Sequence, residues 1–404
     1  MLTRLEVDGF KNLLGFTADL NSFTCIAGPN AVGKSNMFDA IVLLSALADQ
    51  NVSDALAGIR ANDADRSAPA RLFWDAQPPG TARMQLAAEM TVADTVASDL
   101  GETVAVPHTR LRYEIDIEIR EHAPERKRRE LVIAREAVLA LGPTSSALTT
   151  PLLEHTKATT RTVVGTATRA DEPVLLAIRR EMQRWQVLSL NPAALRRPES
   201  AFGASRLGSD GDHLPAVLLR LRETDPDAFA AVAASLSALT DVRQIDVEHD
   251  TNREVLTLLA AAGDGPLLPA RELSDGTLRF LALCTLLHDP EATGLYAIEE
   301  PENGIHPGSI EAMDELLHLL AHDPALPPGP DNPWRQVVIN THSGALIELQ
   351  APDDVLVAVR SRVRRNGTAA STMRLAPLQG TDRAERADLS LGPAALTDYH
   401  GRTR

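Results

Sequence analysis

The chain has 404 residues, 44% of them apolar and 3% aromatic, with 55 acidic against 40 basic side chains and a formal net charge of −15. That apolar content supports a sizeable core, in one domain with an insertion or in two lobes, and so few aromatic rings argue against a stacking platform for single-stranded nucleic acid. The acidic balance opposes broad nonspecific contact with phosphate backbones, and no apolar run approaches the roughly 20 residues that span a bilayer.

Residues 1–48 hold the first strand and the first motif. Ser22-Phe23-Thr24-Cys25-Ile26-Ala27 reads as a strand, and Asn36 to Leu47 as a helix with apolar Met37, Ile41, Leu44 and Leu47 at helical spacing. Between them Gly28-Pro29-Asn30-Ala31-Val32-Gly33-Lys34-Ser35 fits the phosphate-loop pattern GxxxxGK[ST]. Gly28 and Gly33 let the backbone curl so that its N–H groups face phosphates, and the helix beginning near Lys34 adds its positive end. Lys34 is expected to reach the β- and γ-phosphates of a nucleotide and Ser35 to ligate Mg²⁺.

The stretch from about Asn51 to Gly80 is Pro-, Ala- and Asp-rich and reads as loop. Arg83 to Val92 and Leu111 to Ile119 read as strands, the second alternating Tyr113, Ile115, Ile117 and Ile119 with Glu114, Asp116 and Glu118. That pattern predicts an antiparallel subdomain with one solvated face. Gly142 to Asp171 is Thr/Ala-rich and reads as flexible, Val174 to Trp185 as helix and Val187 to Leu190 as strand. A helix from Asp225-Pro226 to Leu239 and strands at Val242 to Val247 and Glu254 to Ala260 follow.

Leu273-Ser274-Asp275-Gly276-Thr277 precedes an apolar helix from Leu278 to Leu287, with Ser274 at its cap and Gly276 open to an approaching anion. Leu295-Tyr296-Ala297-Ile298 reads as a buried parallel strand delivering Glu299 and Glu300 to the sheet edge where such folds bind ligands. Adjacent strand residues point to opposite faces. Glu299 is therefore assigned to Mg²⁺, through water or Ser35, and Glu300 to polarising the attacking water. His342 follows the strand-like Gln336-Val337-Val338-Ile339-Asn340, where an imidazole can bond a γ-phosphate or hold the water. Val355 to Val359 reads as the last sheet strand, and the tail beyond Leu378 as peripheral.

Cys25 and Cys284 fall in predicted buried elements with no zinc spacing, and nothing at the N-terminus resembles a signal peptide, so a cytoplasmic protein is expected. The basic charge clusters at Arg126-Lys127-Arg128-Arg129, at Arg179, Arg180 and Arg184, at Arg196-Arg197, and at Arg360, Arg362, Arg364 and Arg365. Each cluster reads as a solvated face or as the wall of a nucleic-acid groove.

Taken in this order, the motifs resemble those of ABC-type ATPases of the RecF/SMC-like branch. Gly28 to Ser35 resembles Walker A, with Asn30 and Asn36 typical of that branch, and Leu295 to Glu300 resembles Walker B. Leu273 to Thr277 is similar to the signature motif, and His342 to the switch histidine. Glu299-Glu300-Pro301-Glu302-Asn303-Gly304-Ile305-His306-Pro307 resembles the prokaryotic "AAA-type", ABC-like ATPases and the overcoming-lysogenization-defect ATPases. Leu190-Asn191-Pro192 and Gly208-Ser209-Asp210-Gly211 also look like that group. So does Leu5-Glu6-Val7-Asp8-Gly9-Phe10-Lys11-Asn12-Leu13, in which Lys11 and Asn12 are expected near the nucleotide.

The resemblance implies an α/β fold: a P-loop ABC-type ATPase with a mixed central sheet, an antiparallel β subdomain and a helical signature lobe. It implies ATP bound by Gly28, Asn30, Ala31, Val32, Gly33, Lys34, Ser35 and Asn36, with Mg²⁺ on Ser35 and Glu299. Lys34, Glu300 and His342 are then the catalytic set. Two copies are expected to pack head to tail, with Ser274 and Gly276 of one completing the site of the other. Where transporters have Ser-Gly-Gly-Gln, Asp275 would repel a γ-phosphate, so the contacts rest on Ser274 and Gly276. Gln77 and Gln186 are the candidates for the glutamine loop.

On this reading residues 1–60 form the nucleotide-binding lobe, 61–185 a β-rich and helical insertion, 186–380 the lobe with signature, Walker B and switch histidine, and 381–404 a tail. Three functions are open: an ATP-gated switch for a separate effector, as in prokaryotic defence; a RecF-like ATPase that clamps DNA; and a transporter subunit, against which the insertion and the signature count.

Overall fold

The computed structural model describes residues 1–59, 69–74, 82–122, 128–142, 149–202, 206–365 and 367–392. Two compact units emerge. The first comprises Met1–Asn21, Gly28–Gln186 and Leu356–Leu391, and the second is built from Ser22–Ala27 and Val187–Val355.

A six-stranded antiparallel sheet forms the first unit's centre, in the order Phe16–Asp19, Leu2–Asp8, Ala82–Thr91, Arg110–His122, Arg128–Ala140, Thr150–His155. Tyr113, Ile115, Ile117 and Ile119 are buried on one face, as their alternation requires. On the other face Arg112 bridges Glu6, Glu89 and Glu114 at 2.7–2.9 Å. Asp116, expected in solvent, is buried instead. Arg83 and Gln85 bond its carboxylate, and the ladder is bulged between it and Ile117.

The segment read as flexible is tied down. Glu136 is fully buried and accepts the backbone N–H groups of Val163 (2.6 Å) and Val164 (3.0 Å) and the Tyr113 hydroxyl (3.1 Å). Burial pushes its carboxyl above the usual range despite those donors. Residues 143–148 lie outside the described residues. The stretch read as loop after Asn51 contains a helix, Val52–Gly58, because the Asn51 side chain caps it at Ser53 and Asp54. The strand expected to end at Val359 runs on to Arg365 and pairs antiparallel with Thr368–Pro377.

In the second unit the strand order is Gln186–Leu188, Gly294–Glu299, Arg335–Thr341, Phe23–Ala27. Gly294–Glu299 pairs parallel with Arg335–Thr341, and that strand parallel with Phe23–Ala27. Every residue of Arg335–Thr341 is buried, as expected of a strand covered on both faces. A second, antiparallel sheet holds Glu199–Ser200, Val255–Ala262 and Val242–Asp250. Leu278, Leu281 and Cys284 of the helix Asp275–His288 and Met313, Leu317 and Leu320 of the helix Ile310–Leu320 join the core, as does Cys25. Both cysteines are unbridged, and burial pushes the Cys284 thiol up to about 12. No described helix is long and apolar enough to cross a membrane.

Candidate functional site

The loop from Gly28 to Ser35 opens directly after the buried strand Phe23–Ala27 and ends in the helix Lys34–Leu47. Both of its glycines are required by space. A Cβ on Gly28 would lie 2.8 Å from that of Ala358, and one on Gly33, at φ 121°, would lie 2.5 Å from Asn12 Nδ2. Ala31 also adopts a positive φ, 63°, which turns the loop. Lys34 is the first helical residue, 6% exposed, and its ammonium donates to the carbonyls of Gly28 and Pro29. Ser35 follows, half-buried at the helix start.

Asn12 braces this loop. Its Nδ2 donates to the Val32 carbonyl (2.9 Å) and its Oδ1 accepts from Asn36 Nδ2 (2.7 Å). Lys11 adopts φ 49° and pairs with buried Asp39 one turn into the helix, at 2.5 Å. Its charge is thus committed to the helix that carries the loop. Arg360 donates to the Ala31 carbonyl at 3.2 Å. Asn30 is exposed, and Val32 is buried.

In the second unit, Glu299 and Glu300 close the strand Gly294–Glu299. Their assignment to opposite faces assumed an extended backbone through both, but the strand ends at Glu299 and Glu300 stands at φ 44°. The direction of Glu300 is therefore set by the turn. Its N–H bonds the Asn340 backbone oxygen (3.0 Å) and side-chain oxygen (3.1 Å). One carboxylate oxygen lies 2.9 Å from His342 Nδ1, and the other accepts from Asn303 Nδ2 at 2.6 Å. A carboxylate can only accept, so Nδ1 carries the proton and Nε2 is left for other work.

Below this pair sits Glu302, 8% exposed, which accepts the Thr341 hydroxyl. Thr341 Oγ1 in turn accepts the Ser343 N–H at 2.9 Å, so the residues on both sides of His342 are held. Burial pushes the Glu302 carboxyl above the usual range, against the Thr341 hydroxyl bond. Glu302 has no role in the sequence reading, nor do Asn303 and Asn340. The polar Asn340 closing an apolar strand was the available signal.

Ser274 caps the helix Asp275–His288, its hydroxyl accepting the Thr277 N–H at 3.1 Å. Gly276 packs with its Cβ position 3.4 Å from the Gly304 carbonyl. At the far end of this helix Arg335 is 1% exposed and donates to the carbonyls of Leu287 (2.8 Å), Asp289 (2.9 Å) and Ala292 (2.5 Å). It also begins the strand that ends beside His342. Burial lowers its basicity.

Of the glutamine-loop candidates, Gln186 opens the strand Gln186–Leu188, and Gln77 lies outside the described residues. Arg126 and Lys127 lie outside them too. Arg179 and Arg180 are paired with Asp49 and Asp99, and Arg196 with Asp275.

Residues 165–348 match the family model described as "AAA domain, putative AbiEii toxin, Type IV TA system". No curated protein is similar in sequence at a significant level. Among solved structures, an SMC head bound to the C-winged helix domain of ScpA is similar at 12% identity, with 96% of this chain and 99% of that chain covered and a TM-score of 0.53. The SMC head domain from Thermotoga maritima is matched at 13% identity, over 94% and 99% of the two chains, with a TM-score of 0.40. The SMC head domain from Pyrococcus furiosus, bound to the C-terminal domain of ScpA, is matched at 11% identity, over 92% and 96%, with a TM-score of 0.46. Residues 165–348 are thus similar to that family, over less than half of the chain, and the fold is the mixed α/β fold of an SMC head.

Proposed function

We propose that this protein hydrolyses ATP with Mg²⁺ and uses the cycle to switch a separate effector protein in the cytoplasm. The donor set fits the nucleotide. Two glycines and a positive-φ alanine shape a loop of backbone N–H groups, with a lysine and a helix start behind it. Ser35 and Glu299 offer the hard oxygens that Mg²⁺ takes, and the bound ion would neutralise phosphate charge. Lys34 holds the phosphates, Glu300 orients and deprotonates the attacking water, and His342 steadies Glu300 while its Nε2 faces the reacting group. Ser274 and Gly276 of a second copy cap the γ-phosphate, so ATP joins two copies and hydrolysis parts them.

The observation that carries this reading is the Glu300–His342 pair at 2.9 Å. It sits at the end of parallel strands whose register aligns Thr341 with Ala27, the residue before the phosphate loop. The toxin-type description of the family favours an effector in a defence module. Steady-state Mg-ATP hydrolysis and light scattering with and without ATP test it. Turnover together with an ATP-dependent doubling of mass is expected; a protein that neither hydrolyses nor associates would overturn it.

One observation favours a second reading, a clamp on duplex DNA. Arg360, Arg362 and Arg364 are exposed at alternate positions of one strand, so their Cα atoms repeat about every 6.8 Å. The residues paired with them, Met373, Ser371 and Ala369, carry no charge. On this reading Arg362→Ala with Arg364→Ala weakens duplex binding and lowers the slope of log affinity against log salt by about 2, at about 0.9 per phosphate contact. Basal ATPase activity stays unchanged. Fluorescence anisotropy across a salt series checks it, and an unaltered slope removes the reading.

A further inference from the structure

The signature segment carries an acid where an anion is to approach, and the fold supplies the cation that offsets it. Asp275 is the first residue of the helix Asp275–His288, between Ser274 and Gly276. One Arg196 guanidinium nitrogen donates both to Asp275 Oδ1 at 2.6 Å and to the Leu273 carbonyl at 2.8 Å. It therefore draws the carboxylate toward itself and holds the backbone that leads into Ser274.

The elements that bring Arg196 there include Leu190-Asn191-Pro192 and Gly208-Ser209-Asp210-Gly211, two stretches for which the residues alone indicate no chemistry. Arg196 ends the short helix Pro192–Leu195, which Asn191 caps. The Asn191 N–H bonds the Asp210 carbonyl (2.8 Å) and the Ser189 N–H bonds the Ser209 carbonyl (2.7 Å), tying the segment to the Gly208–Gly211 turn. Gly211, at φ 90°, has space only for hydrogen: a Cβ there would meet Leu195 Cδ2 at 2.6 Å. From the signature helix, Arg279 Nε donates back to the Leu190 carbonyl at 3.2 Å. Helix start, short helix and turn form one hydrogen-bonded assembly.

We infer that Arg196 is a positioning residue for the signature segment, which neutralises Asp275 and thereby lets Ser274 and Gly276 accept the phosphate of a nucleotide held by a second copy. This rests on the head-to-tail dimer proposed above. A carboxylate left uncompensated beside an incoming phosphate is repulsive, whereas one engaged by a guanidinium presents a near-neutral pair whose charge-assisted bond also fixes its direction.

The test is a double-mutant cycle in full-length protein carrying Glu300→Gln, which suppresses turnover, read by light scattering against ATP concentration. Arg196→Ala is expected to raise the half-saturating ATP for dimer formation about tenfold, the scale of one lost charge-assisted bond. Adding Asp275→Asn to it is expected to restore association to within about twofold of the starting protein, because the charge that needed compensation is gone. Arg196→Lys keeps the cation and is expected to stay close to the starting protein, and it reads out the charge even if the alanine variant folds poorly. In otherwise unmodified protein, Arg196→Ala should change half-saturating ATP for hydrolysis and leave kcat at saturation alone. If Arg196→Ala associates normally, or Asp275→Asn fails to rescue it, the assignment is wrong. If the starting protein shows no ATP-dependent dimer, it is the dimer reading that fails, and this inference with it.

Discussion

Glu300→Gln is expected to slow hydrolysis by roughly 10²–10⁴-fold, the range a positioned general base contributes, while leaving ATP bound and two copies associated. Glu300 holds its place through backbone bonds that the substitution does not touch, from its N–H to the Asn340 backbone and side-chain oxygens. Glutamine preserves length and shape, so the turn at φ 44° should persist. What disappears is an oxygen able to take a proton, together with one of the two acceptors now serving His342 and Asn303. The amide can still present oxygen to one of them. Phosphate release gives the rate, and light scattering with ATP gives the assembly. A variant that stays monomeric with ATP sinks the clamp, and one that hydrolyses normally shifts the role of base away from Glu300.

Lys34→Ala is expected to cost ATP binding. The ammonium is the one cation on the phosphate loop's own helix start, 6% exposed, and it now rests on the Gly28 and Pro29 carbonyls. A bond between charged partners is worth about 1.5–3 kcal/mol, or roughly ten- to 150-fold in affinity. Removal of a charge from so concentrated an anion should sit at or beyond the upper end. Titration of a fluorescent ATP analogue measures it. The thermal transition should move little, since Met37, Phe38, Ile41 and Leu44 still bury the helix. Unaltered affinity in a folded variant would falsify the assignment of Gly28–Ser35 as the phosphate site.

Much of the local structure was legible because the signals were local. Strand, glycine loop and helix around Gly28–Ser35, the Ser274 cap, the helix opened by Asp225-Pro226 and the alternation Tyr113–Ile119 each depend on residues a few positions apart. Where reading failed, the cue was weak or distant. Thr368–Pro377 has only two large apolar residues, Met373 and Leu375, and its pairing with Val355–Arg365 makes it a strand. The helix at Ile310–Leu320 did carry a signal, Met313, Leu316, Leu317 and Leu320 at helical spacing.

By itself the sequence determined which chemical groups exist and in what local frame: a lysine and serine at a helix start, acids at a strand end, a histidine after another strand. These follow from backbone preferences and short-range periodicity, which neighbouring residues settle among themselves. The tertiary structure alone decided which groups meet. It set Phe23–Ala27 beside Arg335–Thr341, turned Glu300 out of its strand toward His342, buried Glu302 beneath Thr341, and brought Arg196 to Asp275. Each of these joins residues far apart in the chain. Their pairing depends on burying a shared core and satisfying backbone groups across it, for which no short stretch of sequence carries a signal.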